Sequence, residues 1–355
     1  MEAIFEQSVD TLATLVEEGA RANKKSTKRF IEPAQGTLRR ARARRHHMVF
    51  GRRGSGKSSL LYKSSEDLEQ QGCAVAYVDL EPFKGHYYPD LLISVLVASL
   101  SKFRAWLSER PDHGSGKRLW WTFWLVKKES TSLASKADLI ALLDQQLQRL
   151  LKQLNLSDNA TLIERLRNSV DRKQSTELKG KAKGEIPALE TSVESDIAAS
   201  IRSTSTKEVE EEYKRSKTDY LHREIPEFQK IFQEITGLTG NDCFLFLDDL
   251  YHIRRSDQAR VLDYFHRIAK GNNLWIKVGT IKNRSTWYVH SPQPLGLKLG
   301  DDADEINLDL TLEKFSVCKK FLKEVLDAYV REAQAPVLEE LIADGGLDRL
   351  VIASG

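Results

Sequence analysis

One run constrains this chain more than any other: Gly51-Arg52-Arg53-Gly54-Ser55-Gly56-Lys57-Ser58, which follows directly on the apolar stretch His47-Met48-Val49-Phe50. The spacing GxxxxGK[ST] suits a strand that stops at a glycine turn and opens a helix. Glycines there let backbone N–H groups close on an anion, and the helix N-terminus adds a field that favours negative charge. In that setting Gly51, Arg52, Arg53, Gly54, Ser55 and Gly56 line a phosphate cradle. Lys57 reaches β- and γ-phosphate oxygens, the Ser58 hydroxyl goes to magnesium, and Ser59 sits near the α-phosphate. The expected ligands are ATP and Mg2+.

A second run, Cys243-Phe244-Leu245-Phe246-Leu247-Asp248-Asp249, is a buried strand that ends in acid. Open α/β sheets bind ligands at the carboxyl ends of their strands. Asp248 is therefore expected as the magnesium partner, and Asp249 as the group that orients or deprotonates the attacking water. An acidic pair also closes ordinary turns.

The strand Leu274–Thr280 ends in Lys277-Val278-Gly279-Thr280 and continues Ile281-Lys282-Asn283-Arg284-Ser285, which reads as a sensor segment. Thr280 or Asn283 would feel the γ-phosphate or position water, and Arg284 would act in cis or reach a neighbour's nucleotide as an arginine finger. The competing reading pairs Arg284 with the loop of Asp301 and Asp302. Arg254 and Arg255 are a further candidate finger, although loop arginines are more often solvated. The expected catalytic set is Lys57, Asp249, Thr280 and Arg284. His252, His266 and His290 are too dispersed for a metal site, and no spacing supports a Ser-His-Asp triad.

Bulk charge decides little, since 54 basic and 51 acidic residues leave a net charge of +3 over 355 residues. Local charge is more pointed. Arg39, Arg40, Arg42, Arg44, Arg45, His46 and His47 form a basic run that resumes at Arg52 and Arg53. It reads either as a phosphate-contacting surface or as a solvated helix face. Cys73, Cys243 and Cys318 are too few and scattered for a disulfide framework or a zinc site, and all fall in segments that read as buried. That usage suits a reducing cytoplasm. No signal segment is visible, and the apolar run Leu91 to Leu100 is about half of the roughly 20 residues that a membrane span needs.

Periodicity orders the rest. Residues 4–20 form an amphipathic helix, and Cys73–Leu80 a strand after the helix that opens in the glycine loop. An apolar helix runs from Tyr88-Pro89 to about Phe103. The aromatic patch Leu119–Val126, with Trp120, Trp121 and Trp124, is expected in the core or as a partner-binding face. Leu139 to Leu154 marks a long amphipathic helix, to be paired with one near Leu162–Val170. Residues 171–218 turn polar and read as a weakly ordered insertion with a hairpin near Ile186–Val193. A helix from Tyr220 leads into the acidic strand, another spans about Gln258–Lys270, and a final strand near Ile306–Leu310 precedes helices at Phe315–Tyr329 and from Val337. The expected units are an N-terminal segment 1–46, a core 47–110 with 219–312, an insertion 111–218, and the start of a helical lid 313–355.

With the glycine loop, the strand closing on Asp248-Asp249 and the Val278-Gly279-Thr280 strand in that order, the chain resembles the AAA+/STAND class of P-loop ATPases. It looks most like the origin-recognition-initiator-like ATPases of prokaryotes. The resemblance covers roughly residues 30–90 and 220–355. It implies an α/β P-loop NTPase with a parallel sheet in the order 5-1-4-3-2 flanked by helices, a long helical insertion and a C-terminal helical lid. It also implies ATP-dependent assembly into homo-oligomers, an effector protein or effector domain as partner, and roles such as signalling or antiviral defence in bacteria. Two departures stand out: about 190 residues between the two acidic and glycine motifs, longer than such a core needs, and an end at Ala353-Ser354-Gly355, before the lid arginine that members usually carry. Three functions follow in order: a cytoplasmic ATPase acting as an oligomerisation or signalling switch, a DNA-binding initiator or transposition-type ATPase supported by the arginine run, and a scaffold that holds ATP with little turnover.

Overall fold

The computed structural model describes residues 2–19, 28–110, 135–155, 193–290, 292–309 and 315–354. The Trp120–Trp124 patch, the helix expected near Leu162–Val170 and the hairpin at Ile186–Val193 lie outside the described residues.

The core is a five-stranded parallel sheet of β1 (His46–Phe50), β2 (Ala74–Asp79), β3 (Cys243–Asp248), β4 (Leu274–Thr280) and β7 (Ala303–Asn307). Its order is β2-β3-β4-β1-β7. The expected order, written 5-1-4-3-2, differs at the edge beside β1: the seventh strand stands there in place of the fifth. A two-stranded antiparallel ribbon, β5 (Tyr288–Val289) and β6 (Leu295–Gly296), intervenes in the chain and leaves the main sheet. Strands of two residues carry no readable alternation, so the ribbon escapes a pattern search.

Side chains on β3 alternate between faces, as the strand period requires. Phe244 and Phe246 join Val49, Val75, Leu60, Leu61 and Leu68 beneath α2 (Thr37–Ala41) and α3 (Lys57–Gln70). Cys243, Leu245 and Leu247 join Met48, Phe50, Val78 and Ile276 on the opposite face, under α4 (Asp90–Glu109), α5 (Lys136–Asn155), α6 (Val193–Thr239) and α7 (Arg255–Ala269). Every residue of β3 is buried, which is why its sequence is a continuous apolar run and not an alternation.

The apolar stripe of α5, Leu139, Leu143, Leu147 and Leu150, is buried against this second layer, and Phe103 of α4 meets Phe232 of α6 edge to face at 5.1 Å. By length and composition α4 could cross a membrane, but here Leu91, Leu92, Val95, Leu96 and Leu100 are spent on the core. Residues 193–218, expected as part of a weakly ordered insertion, belong instead to α6, which runs on without a break to Thr239. The remaining helices, α1 (Glu2–Glu18), α8 (Phe315–Ala333), α9 (Leu338–Leu341) and α10 (Gly346–Ser354), pack with one another. Cys73 and Cys243 are buried as expected, whereas Cys318 on α8 is partly exposed.

The basic run also takes a shape the sequence did not suggest. Only Thr37–Ala41 is helical, and the arginines surround the N-terminal edge of the sheet. Arg42 pairs with Asp67 at 2.9 Å, Arg45 with Asp304 at 3.0 Å, Arg44 with Asp242, and Arg40 donates to the Glu305 carbonyl at 2.6 Å. Neither expected reading describes this arrangement: beyond Ala41 the run is not a helix face, and Arg42, Arg44 and Arg45 pair with carboxylates of the chain itself.

Candidate functional site

Because all five strands are parallel, their C-terminal ends share one edge, and the sequence-predicted residues gather there. β1 ends at Phe50 and the chain turns through Gly51–Gly56 into α3, whose first residue is Lys57. Gly54 and Gly56 adopt φ of 83° and 85°, a left-handed conformation that side-chain-bearing residues rarely take. Successive N–H groups in such a turn form a concave nest for anions. The Ser55 hydroxyl is buried inside this loop without a hydrogen-bond partner, an unmet polar group in a concave backbone nest.

Lys57 is buried, and its ammonium donates to the carbonyls of Gly51 at 2.8 Å and Arg52 at 2.7 Å. Burial lowers its pKa, while Asp249, Asp248 and Asp309 act to hold the charge. The loop is anchored at the same edge from two sides: Gly51 N–H donates to the Thr280 carbonyl at 3.3 Å, and Arg52 N–H to the Asp309 carboxylate at 2.6 Å.

Asp248 is 3% exposed. It lies on the α3 face of the sheet, in step with Phe244 and Phe246, and accepts hydrogen bonds from the hydroxyls of Ser58 and Tyr77 and from Asp249 N–H. Burial raises its pKa and those three donors oppose the rise. β4 comes so close that a Cβ on Gly279 would overlap Asp248 Oδ1 and lie 2.8 Å from Leu61 Cδ1. Glycine at 279 is thus what lets the carboxylate fit between strand and helix.

Asp249 departs from the strand with φ 56°, ψ 43°, in the left-handed region that Asp and Asn tolerate best among non-glycine residues. Burial first, then the neighbouring charges of Asp248 and Asp79, push its pKa up to about 6. Asp79 faces Asp248 across the β2–β3 register, and Glu81 adds to the same field. This edge therefore concentrates negative charge beside a single buried ammonium, which suits a site for a cationic counterpart.

The sensor segment is placed differently from the loop residues. Thr280 is fully buried, and its hydroxyl is bonded to the Ser285 hydroxyl. Asn283 and Arg284 are exposed on a short 3-10 turn, Lys282–Arg284. Asp301 and Asp302 pair with Lys298 at 2.5 Å and with His266 at 3.8 Å, so the alternative partner proposed for Arg284 is otherwise engaged. Arg254 lies over the ring of Tyr87 at 3.4 Å, and Arg255 donates to the Asn283 carbonyl at 3.1 Å. Arg53 and Ser59 flank the loop, Arg53 exposed and Ser59 half-buried.

Sequence reasoning missed Tyr77, Asp79 and Asp309. Asp79 carried a signal, since it ends a second apolar strand just as Asp248 ends the first. Tyr77 and Asp309 carried none, because their contacts depend on strand order. Comparison with protein-family models, with curated proteins and with solved structures returned no match, so the site is read from its own geometry.

Proposed function

We propose that the chain is a P-loop ATPase of the AAA+/STAND kind, which binds ATP with magnesium at the Gly51–Ser58 loop and uses nucleotide state to switch its self-association in the cytoplasm. The observation that carries this reading is the meeting of the Ser58 hydroxyl with the buried Asp248 carboxylate beside Lys57. Two adjacent oxygen donors of that kind are what a hard divalent cation takes, and the empty-handed Ser55 hydroxyl and the nest at Gly54 and Gly56 suit phosphate oxygens. Ser58 and Asp248 would hold the ion, which would supply charge neutralisation for the phosphates of bound ATP.

The remaining chemistry falls to the chain's own residues. Lys57 exchanges its two loop carbonyls for phosphate oxygens. Asp249, once ionised, accepts a proton from water as the water oxygen bonds to the γ-phosphorus and the bond to the ADP oxygen breaks. A pKa of about 6 leaves it mostly ionised at neutral pH and basic enough to take that proton.

The Thr280–Ser285 bond and the exposed position of Arg284 favour slow turnover by an isolated chain. They also keep alive a second reading, a scaffold that holds ATP without using it. The DNA-binding reading has less support, because Arg40, Arg42, Arg44 and Arg45 are engaged within the chain at the opposite edge of the sheet. Turnover measured against protein concentration separates the two: a rise steeper than proportional supports a switching oligomer to which Arg284 contributes in trans, and ATP retained without turnover at any concentration supports the scaffold.

A further inference from the structure

Five arginines, Arg29, Arg42, Arg44, Arg45 and Arg104, pair with carboxylates. In one region several basic side chains instead converge on a concavity. A cavity of about 410 Å3 opens between α6, α7 and the start of α4, with Tyr88 and the buried Tyr264 among its walls. Arg215 and His222 enter it from α6, and Arg260 and Arg267 from α7. Among the described residues, none of these four makes an ion pair. The carboxylate in the wall, Asp263, instead accepts the Gly296 N–H at 3.4 Å.

The spacing gives the cavity two matched walls. Arg215 and His222 are seven residues apart on one helix, and so are Arg260 and Arg267 on the other, so each pair shares a helix face about 10 Å apart along the axis. Arg260 is steadied over the Tyr88 ring at 5.2 Å, and the Tyr264 hydroxyl is tied to the Leu221 carbonyl at 2.6 Å, which fixes the floor. Arg215, Arg260 and Arg267 outnumber the one carboxylate in the wall, Asp263, so the concavity keeps an excess of positive charge that a bound polyanion neutralises. One phosphate cannot span both rungs of the clamp, whereas a chain of phosphates can. A walled pocket also differs from the open basic stripe that tracks a nucleic-acid backbone.

We infer that this cavity is a second anion site, for a small organic polyphosphate of nucleotide size, separate from the glycine loop. The inference does not depend on what the glycine loop binds. The site has a route to the first: α7, which supplies Arg260 and Arg267, starts six residues after Asp249, and Arg254 in that connection stacks on Tyr87 next to Tyr88.

The test uses the full chain carrying Lys57→Ala, so that the glycine loop is disabled, and titrates it calorimetrically with inorganic tripolyphosphate at low salt. The expected result is near-stoichiometric uptake that weakens about tenfold or more in Arg260→Glu/Arg267→Glu, the loss of charge-assisted contacts. Arg215→Gln/His222→Gln, on the other wall, weakens it in the same direction and covers the case in which the first pair fails to fold. No uptake, uptake unchanged in a folded double variant, or uptake of a short single-stranded oligonucleotide in place of tripolyphosphate overturns the inference.

Discussion

Tyr77 and Asp248 stand 171 residues apart in sequence and meet at 2.5 Å, phenol to carboxylate, on adjacent strands. Tyr77 is itself stacked on Tyr62 of α3, with ring centroids 4.0 Å apart and planes 11° from parallel. The phenol thereby fixes the orientation of a carboxylate that has a metal-holding role in the proposed reaction. Tyr77→Phe keeps the stack and deletes the donor. A hydrogen bond to a charged group contributes about 1.5–3 kcal/mol, so magnesium-dependent turnover is expected to fall about tenfold or more. Nucleotide binding measured in EDTA should change little. An equal loss with and without magnesium would assign Tyr77 to the stack alone.

Asp249 joins function to a cost in stability. Its pKa is raised to about 6 from 3.8, so between those values the folded state holds a proton that the unfolded chain releases. By linkage this group makes the fold more stable as pH falls through 6 and less stable at neutral pH. Turnover should show the opposite slope, rising with pH through about 6 as the base ionises. Asn suits the left-handed backbone at this position, so Asp249→Asn is expected to raise the melting temperature at pH 7.5 while abolishing turnover and retaining ATP. A pH–rate profile and thermal melts on both proteins check the pair of slopes.

Gly279 is a packing requirement with a functional consequence. A methyl group there must displace the Asp248 carboxylate or the Leu61 side chain. Overpacking of this kind costs about 1–3 kcal/mol, and Gly279→Ala should therefore lower the denaturant midpoint and weaken magnesium dependence together. Gly54→Ala offers a contrast, because its Cβ would meet open space and only the backbone angle is strained. Loss of ATP binding with little further loss of stability is expected there.

Much of this edge was legible because its signals are local. The glycine spacing, the apolar strand ending in Asp248-Asp249 and the stripe of α5 each lie within one short window of sequence; Asp79 at the end of β2 had the same local signal and was passed over. What depends on strand order was not: Tyr77 reaches Asp248 only because β2 and β3 are neighbours, and Asp309 reaches Arg52 only because β7 borders β1. The arginine run reads the same whether or not Asp67, Asp242 and Asp304 fold back against it. Residues 193–218 lack a large apolar stripe and so read as disorder, but they are rich in Glu, Lys and Arg, which are strong helix formers.

At the opposite edge, Lys277 is fully buried and its ammonium meets three acceptors, the carbonyls of Ala43 at 2.6 Å and Arg45 at 2.7 Å and His47 Nδ1 at 2.9 Å. Three donors and three acceptors match, although burial pushes the lysine well below its usual range. Lys277→Met strands the carbonyls and is expected to cost about 1–3 kcal/mol. Burial also lowers His46 to about 4 and His47 to about 3 from 6.5. The unfolded chain takes up those protons first, so stability falls as pH drops below 6.5, against the trend from Asp249. His47→Asn, which keeps an acceptor in place, should flatten the acid limb of a stability–pH curve measured by urea unfolding.

The central claim is tested most directly by equilibrium binding of ATP, with and without magnesium, to the wild-type chain and to Lys57→Ala. The account predicts tight, magnesium-strengthened binding that falls about tenfold or more in the variant, for loss of one charge-assisted contact to phosphate. Equal affinity in the two proteins, or no affinity in either, would contradict it.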